Sequence, residues 1–304
     1  MSRICAKCGR DLPRTTYTAK QWSKGIGISR CASCVHGGPY DIPPLTRQTN
    51  SGRHNHSTTA RFEHEDLINP FASGAFRWVA KGIYTSGERE GQACVAKWFK
   101  TGPVFANDYF TLDIKAVDKA LEIVTLFNEL GVISKPVMIN VPQVRTFTQD
   151  SSPAWVGQKV LLEPFIHNYE KFNSNTGWVS DGEAWGQVMQ APSHFSYHVS
   201  RGNYVLCDLQ GGVYNVAVVL TDPVILSRHR EYGVTDLGPE GISSFFSQHT
   251  CNRYCRAHWH RPANQNQYYL PQEGSLMIER NVPTRASRPM AIGAVRMFGA
   301  HLYD

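Results

Sequence analysis

Six of the eight cysteines fall into two spaced groups, one near the N-terminus and one well into the C-terminal half. The first group is Cys5-x2-Cys8 with Cys31-x2-Cys34, and the second lies within residues 249–255. The sequence begins without a hydrophobic signal segment, so we expect the protein in the cytoplasm or the nucleus, with its cysteines reduced. In a reduced chain such spacing indicates metal ligands rather than disulfides. We therefore predict two metal sites.

The N-terminal group predicts a small zinc module over residues 1–36. Four thiolates suit one tetrahedral zinc ion, and cysteines two apart present both sulfurs to it. Tyr17 and Trp22 lie between the pairs and could form a minimal core. His36 could replace one cysteine as a ligand. The fold expected here resembles a zinc ribbon, and chance pairing of the cysteines is the alternative.

Charge is unevenly distributed along the chain. Residues 1–61 hold ten Lys and Arg against two acidic residues, a net charge of +8, and the remainder carries −2. This favours a protein or nucleic-acid partner for the zinc module, although a solvated basic tail would look the same. Residues 37–60 are rich in Gly, Pro, Ser, Thr and Asn and are typical of a linker. A hydrophobic fraction of 41% without a run of about 20 apolar residues predicts a globular protein with no membrane span.

Apolar periodicity predicts a mixed α+β domain over residues 61–261. The pattern alternates in the segments expected to be strands and repeats every three to four residues in those expected to be helices. Residues 262–304 have little periodicity, so we expect a partly irregular C-terminal extension. Strands are predicted at residues 77–83, 93–99, 159–162 and 204–209, and helices at residues 113–130 and 241–258.

Two aspartates stand at the ends of apolar segments, Asp208 in VLCDLQGG and Asp222 in VVLTDP. On one strand, Asp208 and Gln210 would point to the same face. Asp222 could complete a Mg²⁺ site with Gln210, because Mg²⁺ prefers oxygen ligands and shares its shell with phosphates and water. That arrangement favours phosphoryl transfer. The alternative is that both aspartates only begin turns, since Gly211 and Pro223 follow them.

Lys97 interrupts the apolar strand CVAKWF. A lysine on a half-buried strand needs an anion, and phosphate oxygens would supply one. Gly74, in the preceding turn FASGAFR, would let the backbone approach those phosphates closely. A lysine that extends to the sheet edge is the alternative. The sequence has neither a Walker A loop nor GxGxxG, so the phosphate hypothesis depends on other residues.

The second metal pattern is His249-x-Cys251-x3-Cys255. Two cysteines four apart on a helix project from one face, and a fourth ligand would close a structural zinc site. Buried cysteines without metal are the alternative. Candidates for the fourth ligand are His194, His258 and His260.

Taken in order, these segments resemble the alpha-kinase family, atypical Ser/Thr protein kinases that include myosin heavy chain kinases and elongation factor kinase. The resemblance runs over residues 69–256 and includes PFASGAFR, CVAKWF, LLEPFIHNYEKFNSNTG, SHFSYHVSRGNYVLCDLQG, LTDP, GVTDLG and FFSQHTCNRYC. It implies a two-lobed, protein-kinase-like α+β fold. It also implies ATP and Mg²⁺ between the lobes, and Ser/Thr acceptors in protein substrates.

The resemblance implies a role for each motif residue. Asp208 matches the catalytic aspartate, which would take the proton of the acceptor hydroxyl, and Lys97 matches the lysine that contacts the ATP phosphates. Glu163 falls in the segment that joins the lobes and holds adenine. Further nucleotide-site positions are Arg77, Lys171 and Asn175, with Gln210 and Asp222 as magnesium ligands. The implied zinc ligands are His194, His249, Cys251 and Cys255, and residues 233–238 match a peptide-binding loop.

These observations favour an active, zinc-stabilised Ser/Thr kinase that is recruited by its N-terminal module. The first alternative is a pseudokinase or scaffold that binds ATP without transfer, and whose zinc module binds nucleic acid or protein. The second is a metal-dependent nuclease built on Asp208 and Asp222. The sequence leaves open whether Lys97 is braced by Glu122 or by another acid.

Overall fold

The computed structural model describes residues 2–6, 11–32, 35, 59–149, 151, 153–180 and 184–278. Its N-terminal part contains the antiparallel strands β1 (Ser2–Ile4) and β2 (Asp11–Pro13) and the short helix α1 (Ala19–Trp22). The helix begins after Thr18, whose hydroxyl accepts a hydrogen bond from the backbone of Gln21 and so satisfies one of the open N–H groups.

A small aromatic core lies beneath these elements. Cys5, Tyr17 and Cys31 are buried, and Trp22 packs edge-on against Tyr17 with ring centroids 5.2 Å apart. The guanidinium of Arg3 lies over the Trp22 ring, 3.8 Å from its centroid. The two aromatic residues therefore form the minimal core that the sequence predicts. Cys8, Cys34 and His36 lie outside the described residues.

A six-stranded antiparallel sheet forms the first lobe, with the order β3-β5-β6-β9-β8 and β4 paired to β5. Glycines at 87 and 91 take positive φ values of 79° and 80° in the connection between the strands Arg77–Tyr84 and Ala93–Phe99, a backbone conformation that glycine adopts without steric cost. The strands are β3 (Ala60–Arg61), β4 (Ala72–Ser73), β5 (Arg77–Tyr84), β6 (Ala93–Phe99), β8 (Gln143–Thr146) and β9 (Lys159–Pro164), and helix α2 (His64–Ile68) packs beside β5.

The second lobe is built around helix α3 (Thr111–Glu129), which buries one apolar stripe against the rest of that lobe. A four-stranded sheet has the order β10-β12-β13-β7, and β11 pairs with β14. The strands are β7 (Val137–Ile139), β10 (Tyr169–Lys171), β11 (Tyr204–Cys207), β12 (Gln210–Val213), β13 (Val218–Leu220) and β14 (Val224–Ser227), and the other helices are α4 (Ala184–Val199) and α5 (Gly238–Gln248). The two-lobed α+β architecture follows the prediction.

Two sequence-based boundaries are wrong. Helix α5 ends at Gln248 instead of continuing to residue 258, because His249 adopts an extended backbone (φ −73°, ψ 117°) and turns the chain away. Strand β11 ends at Cys207, because Asp208 has a positive φ of 58° that no strand accommodates. The break at His249 brings its imidazole to His194, and the break at Asp208 brings its carboxylate to Lys171.

Residues 262–278 form neither helix nor strand, yet they pack on the second lobe. Leu276, Ile278 and Tyr269 contact the buried cluster that contains Phe245 and Phe246. Among the helices of the described ranges, none has the length and apolar character that a bilayer-crossing segment needs.

Candidate active site

Lys97 is the centre of a buried charge network between the two lobes. Its Nζ lies 2.9 Å from Glu163 Oε1, 2.7 Å from Asp222 Oδ2 and 3.0 Å from Thr221 Oγ1. In the antiparallel pair of β6 and β9, Glu163 is opposite Val95. Residues two apart on a strand share a face, so Lys97 and Glu163 are diagonal neighbours on one side of the sheet. Asp222 reaches them from the turn after β13.

The contacts in this network determine the protonation states of Lys97 and Asp222. Burial by itself lowers the pKa of Lys97, but the carboxylates of Asp222 and Glu163 outweigh it and raise that pKa above its ordinary value. Burial raises the pKa of Glu163 against the pull of Lys97. Burial would also raise the pKa of Asp222, but Lys97 and then Arg77 outweigh it and hold that pKa below its usual range. Lys97 is therefore cationic and Asp222 anionic at neutral pH.

The second carboxylate oxygen of Glu163 is occupied as well. Oε2 accepts hydrogen bonds from Thr221 Oγ1 at 2.5 Å and from Asn140 Nδ2 at 3.0 Å. The Asn140 amide also donates to the backbone oxygen of Pro164 at 2.9 Å. Glu163 is only 1% exposed. Both carboxylate oxygens of Glu163 therefore have partners, and Oε1 faces Lys97.

Asp208 is a second buried acid, 2% exposed, between β11 and β12. Its Oδ1 lies 3.0 Å from Lys171 Nζ, and its Oδ2 accepts a hydrogen bond from Ser275 Oγ at 2.6 Å. Gln210 Nε2 approaches the same oxygen at 3.4 Å. Burial raises the pKa of Asp208 above its usual range, although Lys171 and Ser275 pull it down. A carboxylate with a raised pKa is a better proton acceptor than an ordinary one.

A hairpin brings the two aspartates to the same end of a sheet. Asp208 lies just before β12 and Asp222 just after β13, and these strands are paired antiparallel. The backbone N–H of Thr221 donates to the oxygen of Gln210 at 2.9 Å and extends the pairing toward the acids. A Cβ at Gly211 would lie 1.9 Å from the oxygen of Val219, so the close approach of the strands requires glycine.

Arg77 adds a third charged contact at the edge of this region. Its Nη2 pairs with Asp113 Oδ1 of α3 at 2.5 Å, and its guanidinium lies 4.7 Å and 4.8 Å from the ring centroids of Phe76 and Phe99. The residue is 7% exposed. It ties helix α3 to the first sheet, and its positive charge lowers the pKa of Asp222.

Four potential metal ligands converge at one point in the second lobe. One donor atom from each of His194, His249, Cys251 and Cys255 lies within 4.8 Å of the others. The closest pairs are His249 Nε2 to His194 Nδ1 at 3.1 Å and Cys251 Sγ to His194 Nδ1 at 3.6 Å. Tetrahedral zinc, with bonds of about 2.0 to 2.3 Å, requires ligand separations of about 3.3 to 3.8 Å. The contacts of 3.1 to 3.7 Å among these donors are close to this range, so the donor set is consistent with zinc.

The surroundings of this set also suit a metal. His194 Nε2 lies 3.1 Å from the backbone oxygen of His260, which leaves Nδ1 to face the cluster. Burial lowers the pKa of His194 to about 4 and that of His249 to about 3. Both imidazoles are therefore neutral near pH 7, the form in which histidine binds metals.

A search of protein families matches residues 72–255 to the model described as the alpha-kinase family. The chain belongs to the alpha-kinase family. The alpha-protein kinase vwkA of Dictyostelium discoideum is 30% identical over 195 residues, 62% of this chain and 30% of that protein. The alpha-kinase match therefore spans less than a third of that relative.

Solved structures agree with the alpha-kinase fold. An alpha-kinase from Entamoeba histolytica superposes with a TM-score of 0.57 at 22% identity, covering 71% of this chain and 84% of the other. The alpha-kinase domain of myosin-II heavy chain kinase A in complex with AMP-PNP gives a TM-score of 0.53 at 24% identity, covering 65% of this chain and 86% of that domain. At these identities the likeness concerns the fold.

The alpha-kinase domain brings most of the predicted site residues together. Lys97, Glu163 and Asp222 form one group. Asp208, Gln210 and Lys171 form the neighbouring group. Arg77 contacts Asp113 and lies within electrostatic range of Asp222, and a Cβ at Gly74 would meet no atom within 4 Å, so the turn before β5 is open on that side. The convergent metal set in the described ranges contains His194 rather than His258 or His260.

Three details differ from the sequence-based expectations. Asp208 and Gln210 do not share a strand, although their side chains still meet. Cys251 and Cys255 lie after the end of α5 and not on a helix: Cys251 Sγ lies 3.6 Å from His194 Nδ1, and Cys255 Sγ lies 3.7 Å from His249 Nε2. Asn175 is fully buried, and its amide contacts the backbone of residues 235 and 276.

Sequence reasoning missed several contacts that complete the site. The brace of Lys97 is Glu163, whereas Glu122 pairs with Lys119 at 2.6 Å on the surface of α3. Thr221 could have been suspected from its place beside Asp222 in LTDP. Nothing in the sequence pointed to Asn140, which reaches Glu163 only because the lobes fold together.

Proposed function

We propose that this domain transfers the γ-phosphoryl group of ATP to serine or threonine hydroxyls of protein substrates. The observation that carries the proposal is the hairpin β12–β13, which holds Asp208 and Asp222 side by side while Asp222 contacts Lys97 of the opposite lobe. A cation and two acids around one cleft are the groups that phosphoryl transfer needs, because catalysis there consists mainly of positioning and charge stabilisation.

Asp208 is proposed as the catalytic base. Its buried carboxylate has a raised pKa, and Lys171 holds one oxygen while the other accepts a hydroxyl hydrogen bond. A base must lie within about 2.6 to 3.2 Å of the proton that it removes. The contact between Ser275 and Asp208, at 2.6 Å, supports this role because it has the geometry of an acceptor hydroxyl.

Lys97 and Arg77 are proposed to bind the nucleotide phosphates, with the turn at Gly74 and Lys171 as further contacts. Asn175 is not proposed as a direct contact, because it is fully buried and its amide is bonded to the backbone of residues 235 and 276. Glu163 would contribute by orienting Lys97, since both of its oxygens are occupied. Gln210 and Asp222 supply the oxygen atoms that Mg²⁺ prefers, and the bond between the Thr221 N–H and the Gln210 oxygen keeps them adjacent. Magnesium would neutralise charge on the transferring phosphates.

Two zinc sites are proposed as structural supports. One uses His194, His249, Cys251 and Cys255, whose donor atoms lie within 4.8 Å of one another. The other is the N-terminal module with Cys5, Cys8, Cys31 and Cys34. Support for it comes from Cys31, whose backbone N–H donates to Cys5 Sγ at 3.2 Å, a bond that favours a thiolate.

The domain boundaries proposed are residues 1–36 for the module, 37–60 for the linker, 61–261 for the kinase domain and 262–304 for the extension. The basic module would recruit a protein or nucleic-acid partner and so choose the substrate. Binding to a nucleic acid would weaken steeply with salt, because it depends on displaced counterions.

Labelled ATP with Mg²⁺ and a generic basic protein tests the kinase proposal. The chain should transfer label, and Asp208→Ala should abolish it, whereas Asp66→Ala on the exposed face of α2 should not. Label that persists in Asp208→Ala would reject Asp208 as the base. A chain that binds ATP but transfers nothing would favour the pseudokinase or scaffold alternative, and cleavage of DNA or RNA without ATP would favour a nuclease.

The zinc proposals are tested by a matched pair of cysteine variants. Cys251→Ser should lose one zinc ion per chain by elemental analysis and lower the Tm of the kinase domain, because structural zinc contributes folding free energy. Cys31→Ser should lose the other zinc ion yet phosphorylate a generic peptide at the normal rate. Unchanged zinc content in either variant would contradict that site, and lost activity in Cys31→Ser would contradict the domain division.

A further inference from the structure

Residues 272–278 of the extension after the kinase domain lie against the second lobe, next to Asp208. The amide of Asn175 grips the backbone of Leu276 twice, as Nδ2 donates to its oxygen at 2.7 Å and Oδ1 accepts from its N–H at 2.9 Å. Two residues on, the N–H of Ile278 donates to the oxygen of Val234 at 2.9 Å. All of these hydrogen bonds are made to backbone groups of the segment, as in peptides that pair with a strand.

Further contacts fix the register of the segment. Thr176 Oγ1 accepts from the backbone N–H of Gln272 at 3.0 Å and donates to its oxygen at 3.2 Å. Leu276 and Ile278 pack on the apolar cluster of the second lobe. A segment anchored at residues 272, 276 and 278 has little freedom to slide, so the residue directly before Leu276 is held at one fixed place.

That residue is Ser275, and the place is Asp208. Ser275 Oγ donates to Asp208 Oδ2 at 2.6 Å, and Lys171 holds Oδ1 at 3.0 Å. A Cβ at the preceding Gly274 would meet no atom within 4 Å, so the backbone at that position borders open space. A serine hydroxyl bonded to the proposed base is the arrangement expected of a phosphoryl acceptor.

We propose that residues 272–278 occupy the acceptor-substrate site and that Ser275 is phosphorylated in cis by the active site of its own chain. The proposal rests on the kinase function proposed above. In the step, Ser275 Oγ forms a bond to the γ-phosphorus of ATP and the bond from that phosphorus to the β,γ-bridging oxygen breaks. The hydroxyl proton passes to Asp208, and the products are phosphoserine and ADP.

Phosphorylation would also release the segment. A phosphate at position 275 would bring about two negative charges next to the carboxylate of Asp208. Like charges at hydrogen-bond distance in a buried site repel strongly. The modified segment would leave the cleft and open it to other protein substrates. Phosphorylation of Ser275 would therefore control the access of substrates to Asp208.

Phosphopeptide mapping after incubation with ATP and Mg²⁺ tests the proposal. Phosphate should appear on Ser275 with a first-order rate constant that stays the same over a hundredfold range of protein concentration. Wild-type enzyme mixed with the inactive Asp208→Ala chain should leave Ser275 of that chain unmodified. Ser247→Ala, which removes a hydroxyl bonded to the Ser244 oxygen on α5, should retain the Ser275 phosphate.

Hydrogen exchange without ATP gives an independent readout. Ser275→Ala keeps the bonds from Asn175 and Val234, so the amides of residues 276 and 278 should remain protected. Ser275→Glu should increase their exchange at least tenfold through repulsion from Asp208. Equal exchange in the two variants would overturn the charge-driven release.

Other outcomes separate this proposal from the kinase proposal. If the basic protein is labelled but Ser275 is not, the kinase function stands and the cis acceptor is rejected. Phosphorylation of Ser275 on the Asp208→Ala chain, at a rate that rises with enzyme concentration, would likewise overturn the cis assignment. If neither the basic protein nor Ser275 is labelled, it is the kinase function that fails.

Discussion

The two acidic centres of the cleft are built differently, although a single hairpin carries Asp208 and Asp222. Around Lys97, both partners are carboxylates from folded elements of the two lobes, and Thr221 and Asn140 occupy the remaining oxygen of Glu163. Around Asp208, one of the two close contacts comes from Ser275 in the irregular extension. The centre around Lys97 is built from helices, strands and turns of the two lobes, whereas the centre around Asp208 includes a segment that a protein substrate could displace.

This difference matches the chemistry proposed for each centre. A nucleotide is bound anew in each cycle but is chemically constant, so its contacts can be preorganised. Protein acceptors vary and must enter and leave, so the base needs an exchangeable neighbour. Substitutions around Lys97 should therefore mainly affect stability, and substitutions around Asp208 should mainly affect catalysis.

The largest effect is expected for Lys97→Met. Removal of the cation leaves the carboxylates of Glu163 and Asp222 close together without compensation, which costs about 3 to 5 kcal/mol for a broken buried ion pair. The free energy of unfolding, measured with urea at pH 8, should fall by that amount. Lys119→Met breaks the exposed pair with Glu122 and should change it by about 0 to 1 kcal/mol.

The pH dependence of this loss has a definite sign. Without Lys97, the pKa of Asp222 in the folded state should rise above that of the unfolded chain, and the pKa of Glu163, already raised by burial, should rise further. The folded variant then binds more protons, so its stability increases as pH falls. The deficit of Lys97→Met should therefore be smaller at pH 5 than at pH 8, and a deficit independent of pH would contradict the charge network.

Local patterns were sufficient to predict the strand that carries Lys97 and the helix that pairs with Arg77, but not the short strand Val218–Leu220 that precedes Asp222. The strand at residues 93–99 and the helix at residues 113–130 have clear periodicity, and the structure has Ala93–Phe99 and Thr111–Glu129. Helix α4 was missed because it is buried nearly all round and contains Pro192, so it presents no polar face to reveal its period.

The contacts of the second centre depend on long-range folding. The positive φ of Asp208 separates two strands that looked continuous, and only this break directs the carboxylate toward Lys171. Ser275 is far from Asp208 in sequence and lies in a region without periodicity. Family resemblance could assign Asp208 a role, but it could not indicate which hydroxyl faces it.

A smaller effect is expected when the hydroxyl of Thr221 is removed. Thr221→Val keeps the shape but loses the bonds to Lys97 and Glu163, and a buried polar group left without its partner costs about 1 to 3 kcal/mol. Thr221→Ser retains the hydroxyl and should lose less. Urea unfolding of both variants checks this, and equal losses would contradict it, because the methyl group would then contribute as much as the hydroxyl.

The smallest effect is expected for Lys171→Met, and it should appear in catalysis. Lys171 lowers the pKa of Asp208, so its removal raises that pKa further. Because the base acts only when deprotonated, the acid limb of kcat should move to higher pH, by about one unit for the loss of one adjacent charge. Lys159→Met removes an exposed bond to Thr146 and should leave the limb in place. An unmoved limb in Lys171→Met would mean that Lys171 does not set the proton affinity of the base. The proposal that substitutions around Asp208 act mainly on catalysis would then be contradicted.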